Sequence, residues 1–502
     1  MNVLFISIDS LNRHFLKAYG QPIEIDVQTP NLDHFAARSA VFDTHYAGSL
    51  PCMPARREFF AGVQEFLWRP WGPMEPFDVP MARAARRAGA VTALTTDHYH
   101  YFQHGSHGYY EDYQGYEFIR GHEYDAWKTS PRNPDPALMA QINGNDAYST
   151  EFMTKATYAR NVSYCKREDD FFAPRVFSAA SNWVDANKDH PKWMLVVDSF
   201  DVHEPFHCPA PYNGMYTNED PHDPEMPLWP TYGRIDSGAS KLTERQVAFV
   251  RSQFAGKMTM VDRWFGRLMD TLTRLNLWDD TMVIVTADHG HYLGDHGWMG
   301  KPEAPLYNTL AHTPLFVWYP HSPLMRTRVP ALTSAVDLYA TVLEALEADI
   351  PEKTHSRSLM PLLTGKATAH RDWALYGYWG STVNVTDGRY TYLHPCRSDE
   401  PAWCYSTQFM NPYNWFGPSE PPTDVTAGPF LPYTNVSTWR YALESRNRHP
   451  APMLFDVLAD PNQEHDLGGQ ANPEEARMRA LLETALTEVQ APEQHRERLG
   501  LA

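Results

Sequence analysis

The sequence predicts an α/β fold with a mostly parallel central sheet flanked by helices. Four short apolar runs stop abruptly at polar residues, as buried parallel strands do: Val3 to Ile8, Met194 to Val197, Met282 to Thr286 and Leu315 to Tyr319. Between the second and third runs, apolar side chains recur at helical spacing from Arg245 to Leu275. This alternation of strands and helices is typical of a sheet with helices on both faces.

The chain of 502 residues is longer than one small core usually requires, so we expect two domains. Near the C-terminus the pattern changes to short strands, Trp373 to Trp379 and Val383 to Leu393, followed by a helix at Pro473 to Val489. We therefore predict a catalytic α/β domain over residues 1–370 and a smaller C-terminal domain with an antiparallel sheet over residues 371–502.

Charge and the N-terminal pattern limit the partners. A formal net charge of -18 argues against nucleic acid or an anionic membrane, whose phosphates the protein would repel. Met1 to Asp9 has the pattern of a strand rather than a signal peptide, and no stretch has the length of a membrane-spanning helix, so we expect a cytoplasmic protein. We interpret the cysteines other than Cys52 as reduced thiols, with a disulfide between Cys396 and Cys404 as the alternative.

Polar residues follow three of the predicted strands. The first strand ends at Asp9-Ser10, the second continues into Asp198 to His203, and the third ends at Asp288-His289. A single Asp after a strand is more often a helix cap or turn residue than a ligand. Because ligands of parallel sheets bind beyond the carboxyl ends of strands, three such ends together favour a binding site at this edge.

The spacing Cys52-x-Pro54-x-Arg56 predicts an anion site at the start of a helix. Pro54 suits the first helical turn, where its missing N–H costs nothing, so Cys52 is expected at the positive end of the helix. Arg56 lies four residues on and projects from the same face. The helix dipole and the guanidinium donors then converge on a space that suits a tetrahedral oxyanion.

Further segments occur in the order and approximate spacing of the sulfatases. They are Thr29-Pro30-Asn31-Leu32-Asp33-His34-Phe35-Ala36, Asp288-His289-Gly290, Lys301, Leu454-Phe455-Asp456-Val457 and Asp460-Pro461. With the cysteine motif, they make the chain resemble the sulfatase family, within the alkaline phosphatase superfamily, over nearly its whole length. The resemblance implies an alkaline phosphatase-like fold.

The resemblance also implies the chemistry at Cys52. In sulfatases a formylglycine-generating enzyme oxidises this cysteine to Cα-formylglycine, whose hydrate supplies the nucleophile. One divalent metal ion is implied as well, bound by Asp9, Asp288, His289 and an oxygen of the modified Cys52. Oxygen ligands suit Ca²⁺, whereas a histidine shifts the preference towards Mn²⁺, and we retain both ions.

Four more residues are implied to contact the ester. Arg56 and Lys301 would bind the anionic group, with Lys301 on the bridging or sulfuryl oxygens, and His203 would contact the ester oxygen as a general acid. The Gly-Lys-Trp-His run of the family is absent. Either His98 or His100 replaces its histidine, and we assign His100 to the site.

The identity of the residue after Asp9 is compatible with two kinds of hydrolase. Sulfatases often carry Asp-Asp there, whereas Asp9-Ser10 is similar to the phosphonate monoester hydrolase branch. We predict hydrolysis of a small-molecule or saccharide sulfate monoester, with a phosphonate monoester or phosphodiester as the alternative substrate of the same nucleophile. A third reading, an unmodified protein that binds metal and anion without hydrolysis, fits the intact set of Cys52, Arg56 and Lys301 less well.

One aromatic-rich stretch, Pro395 to Arg448, lies outside the family pattern. Its side chains could stack on a sugar or bury a subunit interface. We favour interface or loop packing, which is compatible with a homo-oligomer.

Overall fold

The computed structural model describes residues 1–20, 23–103, 105–128, 134–144, 154–303, 305–397, 399–410, 422, 424–445 and 449–501. Part of the aromatic-rich stretch, residues 411–421 included, lies outside these ranges. The strands in chain order are β1 (Asn2–Ile8), β2 (Ala40–Tyr46), β3 (Ser49–Leu50), β4 (Val91–Thr96), β5 (Gly115–Phe118), β6 (Trp193–Ser199), β7 (Gly233–Arg234), β8 (Thr281–Thr286), β9 (Tyr292–Leu293), β10 (Trp298–Gly300), β11 (Leu315–Trp318), β12 (Arg328–Ser334), β13 (Ala374–Tyr378), β14 (Val383–Thr386), β15 (Tyr390–His394), β16 (Ala402–Ser406), β17 (Thr426–Gly428), β18 (Thr438–Leu443) and β19 (Met453–Asp456).

The α-helices flank these strands, and the predicted long helix is present as α7. In chain order the helices are α1 (Pro30–Arg38), α2 (Cys52–Ala61), α3 (Met81–Arg87), α4 (Pro136–Gln141), α5 (Lys155–Val162), α6 (Phe172–Asn187), α7 (Glu244–Arg274), α8 (Asn308–Ala311), α9 (Asp337–Ala345), α10 (Met360–Leu363), α11 (Pro473–Glu488) and α12 (Glu493–Leu499). None of the helices in the described ranges is both long and apolar enough to cross a bilayer.

Eight strands form the central sheet, in the order β12-β2-β11-β8-β1-β6-β4-β5. β1 lies between β8 and β6 and is parallel to both, so their carboxyl ends meet at one edge. The predicted fold class is confirmed. One expectation was wrong: β11 is antiparallel to β8 and β2, because an apolar run reveals burial but not strand direction.

Alternate residues of β1 pack into separate cores on the two faces of the sheet. Leu4 and Ile6 join the core that contains residues of α6 and α7. Val3 and Phe5 face the opposite core, which contains residues of α2, α3 and α9. Because both faces are covered by helices, the strand reads as a continuous apolar run rather than an alternating one.

A smaller five-stranded sheet holds the segment that precedes α2. Its order is β19-β15-β14-β13-β3, and its pairings are antiparallel except that β3 runs parallel to β13. In that pair Ser49 lies opposite Gly377 and Leu50 opposite Tyr378. The C-terminal part of the chain therefore fixes the backbone just before Cys52.

All five cysteines are free thiols, so the alternative of a disulfide between Cys396 and Cys404 is wrong. Cys396 contacts the Ser445 hydroxyl at 3.3 Å, and Cys404 contacts the Tyr441 hydroxyl at 3.2 Å. The two thiols thus have separate polar neighbours.

Glu58 of α2 is a buried carboxyl that ties the helix to β3. It accepts hydrogen bonds from the Ser49 N–H at 2.6 Å and the Ser49 hydroxyl at 2.5 Å. Burial raises the pKa of Glu58 to about 8, from 4.5. The Ser49 hydrogen bonds and Arg371 oppose this shift, and Glu65 adds to it.

We expect Glu58 to make the folded state less stable as pH rises from about 4.5 to 8. The folded protein retains a proton there that the unfolded chain has released, so the free energy of unfolding falls. Glu58→Gln should therefore flatten the fall seen in wild type when urea unfolding is measured at pH 5, 6.5 and 8. Glu488→Gln, at an exposed position of α11, serves as the control. Equal slopes in wild type and Glu58→Gln would contradict the assignment.

Candidate active site

Cys52 is the first residue of α2, directly after Pro51, and is 2% exposed. Pro54 lies in the first turn, as the sequence predicts, where no intrahelical partner for its nitrogen exists. The Cys52 side chain therefore lies at the helix N-terminus, where the partial positive charge of the helix favours an anionic group.

Arg56 lies one turn into α2 and brings three carboxylates together. It forms a bidentate pair with Asp198, with Nε–Oδ2 and Nη2–Oδ1 distances of 3.0 and 2.8 Å. Its Nη1 lies 3.0 Å from Asp9 Oδ2, also contacts Asp288 Oδ2, and donates to the Cys52 carbonyl at 3.2 Å. Sequence analysis expected this guanidinium to bind the substrate anion. In the structure the guanidinium instead pairs with carboxylates at the C-terminal ends of β1, β6 and β8.

Four predicted ligands converge beside Arg56. One ligand atom from each of Asp9, Cys52, Asp288 and His289 lies within 4.8 Å of all the others, and all four residues are buried. His289 Nε2 is 3.3 Å from Cys52 Sγ and 3.3 Å from Asp288 Oδ2. The structure thus groups the residues that the sequence selected as metal ligands.

The charges and donor atoms of this cluster fit a divalent cation. Burial and the neighbouring Asp288 raise the pKa of Asp9 well above its usual value. Asp9 Oδ2 forms the ion pair with Arg56 but accepts no hydrogen bond of good geometry from the described residues. Burial lowers the pKa of His289 to about 4, so its imidazole is neutral. Its Nδ1 donates to the Gly290 carbonyl at 2.8 Å, which leaves the Nε2 lone pair for a metal.

Ser10 aligns the two carboxylates at the position where many sulfatases have a second acid. Its backbone N–H donates to Asp288 Oδ1 at 3.1 Å and its hydroxyl to Asp9 Oδ1 at 2.7 Å. A φ of 59° places Ser10 in the left-handed region, which is uncommon for a residue other than glycine. A neutral hydroxyl here leaves the cluster with one carboxylate fewer.

Lys301 is a second cation beside Cys52. Its Nζ lies 3.7 Å from Cys52 Sγ and 5.9 Å from the centre of the Tyr232 ring. The pairing of β10 with β9 and a 3.0 Å hydrogen bond from the Tyr378 hydroxyl to the Lys301 carbonyl fix this position. Burial disfavours the ammonium, but Cys52 and Glu204 more than offset it and raise the pKa of Lys301.

His203 lies near Lys301, and its orientation depends on Glu204. Its Nδ1 donates to the Glu204 carbonyl at 2.8 Å and lies 3.4 Å from Glu204 Oε2, while the ring stacks on Phe200 with centroids 4.1 Å apart. Burial lowers the pKa of His203, and Glu204 opposes that shift. Nε2 is therefore the nitrogen that remains for a substrate.

Sequence analysis missed Glu204. The carboxylate is 2% exposed and accepts from His291 Nε2 at 3.1 Å and from the Tyr232 hydroxyl. Although burial favours the neutral form, His203 and Lys301 hold the pKa of Glu204 well below its usual value. Its position directly after His203 was the available signal, but the two residues that approach it are distant in sequence.

Of the two alternative histidines, the structure places His98 and not His100 against the ligand cluster. His98 Nε2 lies 3.7 Å from Asp9 Oδ2. His100 Nε2 is 3.3 Å from Glu123 Oε2 and its Nδ1 is 2.7 Å from Gln103 Oε1. A 3₁₀ turn begins at Tyr99, and the centroids of the two histidine rings lie 5.2 Å apart. His98 is therefore the nearer residue, and the assignment of His100 to the site stays a prediction.

Fold and site together define a class, the alkaline phosphatase-like hydrolases. The sulfatase family model matches residues 1–348, most of the chain, and the chain belongs to the sulfatase family.

Two relatives are similar to the chain in sequence, and one solved structure is similar to it in fold. A multifunctional alkaline phosphatase superfamily protein, PehA, of Trinickia caryophylli is 25% identical over 422 residues, which cover 74% of this chain and 78% of that protein. The choline-sulfatase of Rhizobium meliloti (strain 1021) is 25% identical over 428 residues, which cover 78% of each chain. The phosphonate monoester hydrolase of Agrobacterium radiobacter shares the fold, with a TM-score of 0.65 and 19% identity over 98% of this chain and 95% of that one.

We expect Asp288→Ala to weaken divalent metal binding at least about a hundredfold, because it removes one of two carboxylate ligands. The metal content of the protein after gel filtration, measured by inductively coupled plasma mass spectrometry, reports this loss of affinity and needs no activity assay. Asp270→Ala, at an exposed position on α7, is the control. Metal content equal to wild type in Asp288→Ala would show that the ion binds elsewhere.

Proposed function

We propose that the protein hydrolyses sulfate monoesters with Cα-formylglycine, formed from Cys52, as the nucleophile. One divalent ion, Ca²⁺ or Mn²⁺, is held by Asp9, Asp288, His289 and the converted side chain. The observation that carries the proposal is the position of Cys52 Sγ, 3.3 Å from His289 Nε2 and 3.7 Å from Lys301 Nζ at a helix N-terminus. The sulfur stands in for an oxygen of the converted residue.

The state of the Cys52 thiol supports conversion. Burial and the neighbouring Asp9 raise its pKa well above the usual value, although Lys301 opposes this shift. A thiol that stays protonated is a poor nucleophile, since the thiolate is the reactive form. An aldehyde hydrate at the same position would supply a hydroxyl as the nucleophile, so no thiolate is needed.

Each neighbouring side chain then has a defined task. The metal and the formylglycine hydrate supply, when present, Lewis-acid charge and a hydroxyl nucleophile. Lys301 offsets negative charge on the oxygens of the transferred group, and Arg56 holds the carboxylates in place. His203 first takes up a proton at Nε2 and then delivers it to the departing ester oxygen, and the Glu204 carboxylate stabilises the imidazolium that carries this proton.

The charge of the site favours an ester group with a single negative charge. The cations near Cys52 are Lys301, Arg56 and the proposed divalent ion, and the carboxylates of Asp9, Asp198 and Asp288 offset all but about one of their positive charges. A sulfate monoester carries one negative charge, whereas a phosphate monoester carries nearly two at neutral pH. We propose a small-molecule or saccharide alcohol half, in line with the relatives named choline-sulfatase and N-acetylglucosamine-6-O-sulfatase.

Ser10 supports a second candidate, a phosphonate monoester or phosphodiester hydrolase with the same nucleophile. Because Ser10 is neutral, the proposed metal ligands include only two carboxylates, Asp9 and Asp288, as the resemblance to the phosphonate monoester hydrolase branch implies. These phosphorus esters also carry a single negative charge, so the charge argument admits them.

We expect Cys52 to be converted when the chain is produced with a formylglycine-generating enzyme. Trypsin should release residues 39–56, which contain Cys52 as their one cysteine, and mass spectrometry should find aldehyde or its hydrate. The peptide of residues 161–166 carries Cys165 and should keep its thiol. Unconverted thiol at Cys52 in fully active protein would refute the mechanism.

Matched aryl esters separate the two hydrolase candidates. We expect kcat/KM for the aryl sulfate to exceed that for the aryl phosphate at least about tenfold, because the site lacks charge for a dianion. Aryl phosphonate monoesters and phosphodiesters should be weaker substrates than the sulfate on the same preparation. A preference for those diesters would select the second candidate, and a preference for the phosphate monoester would refute the charge argument. Cys52→Ala is the control for contaminating hydrolases.

A further inference from the structure

A second buried cluster contacts the backbone of the segment that carries His203. Its members are Asp97, directly after β4, Asp201, two residues after β6, His122, and Lys257 of α7. The ligand-type atoms of Asp97, His122 and Asp201 lie within 4.8 Å of one another, and all four residues are at most 1% exposed.

The ammonium of Lys257 supplies the cation of this cluster. Its Nζ lies 2.5 Å from Asp201 Oδ1, the oxygen that also contacts His122 Nε2 at 2.9 Å. Despite burial, Lys257 and His122 lower the pKa of Asp201, whereas burial and Asp201 raise that of Asp97. Burial lowers the pKa of His122 to about 4. One cation thus faces one anion, and a metal ion is not required to balance the charge.

This cluster holds the segment of residues 200–205 at both ends. Lys257 Nζ donates to the His203 carbonyl at 2.7 Å and to the Pro205 carbonyl at 2.9 Å. Asp97 Oδ1 accepts from the Phe200 N–H at 2.7 Å. Phe200 in turn stacks on the His203 ring, so both the backbone and the ring face of His203 are fixed by contacts to buried groups.

We propose that Lys257 is a positioning residue for His203. By holding the carbonyls on either side of Glu204, it sets the direction in which His203 Nε2 meets the departing ester oxygen. The inference rests on the proposed function, in which His203 donates a proton there. A proton donor is misaligned by small shifts of its backbone, and such shifts cost rate rather than substrate affinity.

A series of sulfate esters with leaving groups of increasing basicity tests this role. 4-Nitrophenyl sulfate needs little proton donation, phenyl sulfate needs more, and an alkyl sulfate needs most. For Lys257→Met we expect kcat to fall at least about tenfold more on the alkyl than on the 4-nitrophenyl ester, with KM changed less than about twofold. In a His203→Ala background, Lys257→Met should not lower kcat further, because both changes disable the same proton donation.

Two variants control for structural damage. Lys192→Met removes a lysine that likewise donates to two backbone carbonyls and faces a carboxylate, but precedes β6 at the opposite edge of the sheet. It should not change the dependence on leaving group. Asp201→Asn combined with Lys257→Met removes both buried charges, and should fold and show the same selective loss.

The outcomes separate the inference from the function on which it rests. Equal losses across the series for Lys257→Met, or losses that add to those of His203→Ala, would overturn the positioning role while His203→Ala stays selective. If His203→Ala itself shows equal losses, the proton-donor role fails, and the inference fails with it. Wild type that turns over none of the sulfates would refute the proposed function as a whole.

Discussion

The geometry of the site depends on one buried guanidinium. Arg56 is fully buried and contacts carboxylates from the ends of three adjacent strands, Asp9, Asp198 and Asp288. Three like charges at one sheet edge would repel each other in a low-dielectric interior, so the strand ends need a shared cation. A guanidinium has five N–H donors in a rigid plane and can donate to several carboxylates at once in fixed directions. A lysine ammonium is a point charge and does not fix these directions. The site is thus assembled from α2, and Cys52 is carried to it on the same helix.

Arg56 keeps its position only if helix α2 is held in place. The buried ion pairs around α2 therefore also contribute to the geometry of the site. Arg57 makes a bidentate pair with Asp78, and Arg69 bridges Glu65 and Glu75. Glu75 then accepts from the Ser406 hydroxyl at 2.5 Å at the end of β16, which links the helix to the C-terminal sheets. Breaking one such pair costs about 3–5 kcal/mol because it leaves an uncompensated buried charge. These pairs explain why the C-terminal part of the chain is needed for the position of a residue near the N-terminus.

The sequence allowed prediction of those site residues that directly follow strands or begin a helix, since local pattern determines both. Asp9, Asp288 and Cys52 belong to this group, and so does the mostly parallel sheet that brings them together. The direction of β11 could not be predicted, because it depends on how the long connection of residues 287–314 returns to the sheet. The position of His98 rather than His100 beside Asp9 could not be predicted either, because it depends on how a short turn after β4 is formed. Glu204 and Lys257 escaped for a different reason: their partners come from remote segments, and a lone acid or a helical lysine carries no signal in the sequence.

The remaining question is how a protein with a net charge of -18 would admit the anionic ester that we propose as its substrate. At physiological ionic strength charges are screened beyond about 8 Å, so the surface charge acts weakly on a substrate already at the site. Within that distance the proposed substrate would meet the N-terminus of α2 and Lys301, whose ammonium is favoured by the nearby carboxylates of Glu204, Asp9 and Asp288. Arg56 adds little attraction, since its charge is spent on carboxylates. Recognition of the anion therefore depends on a few short contacts around Cys52, and the overall charge limits the speed of approach more than the strength of binding.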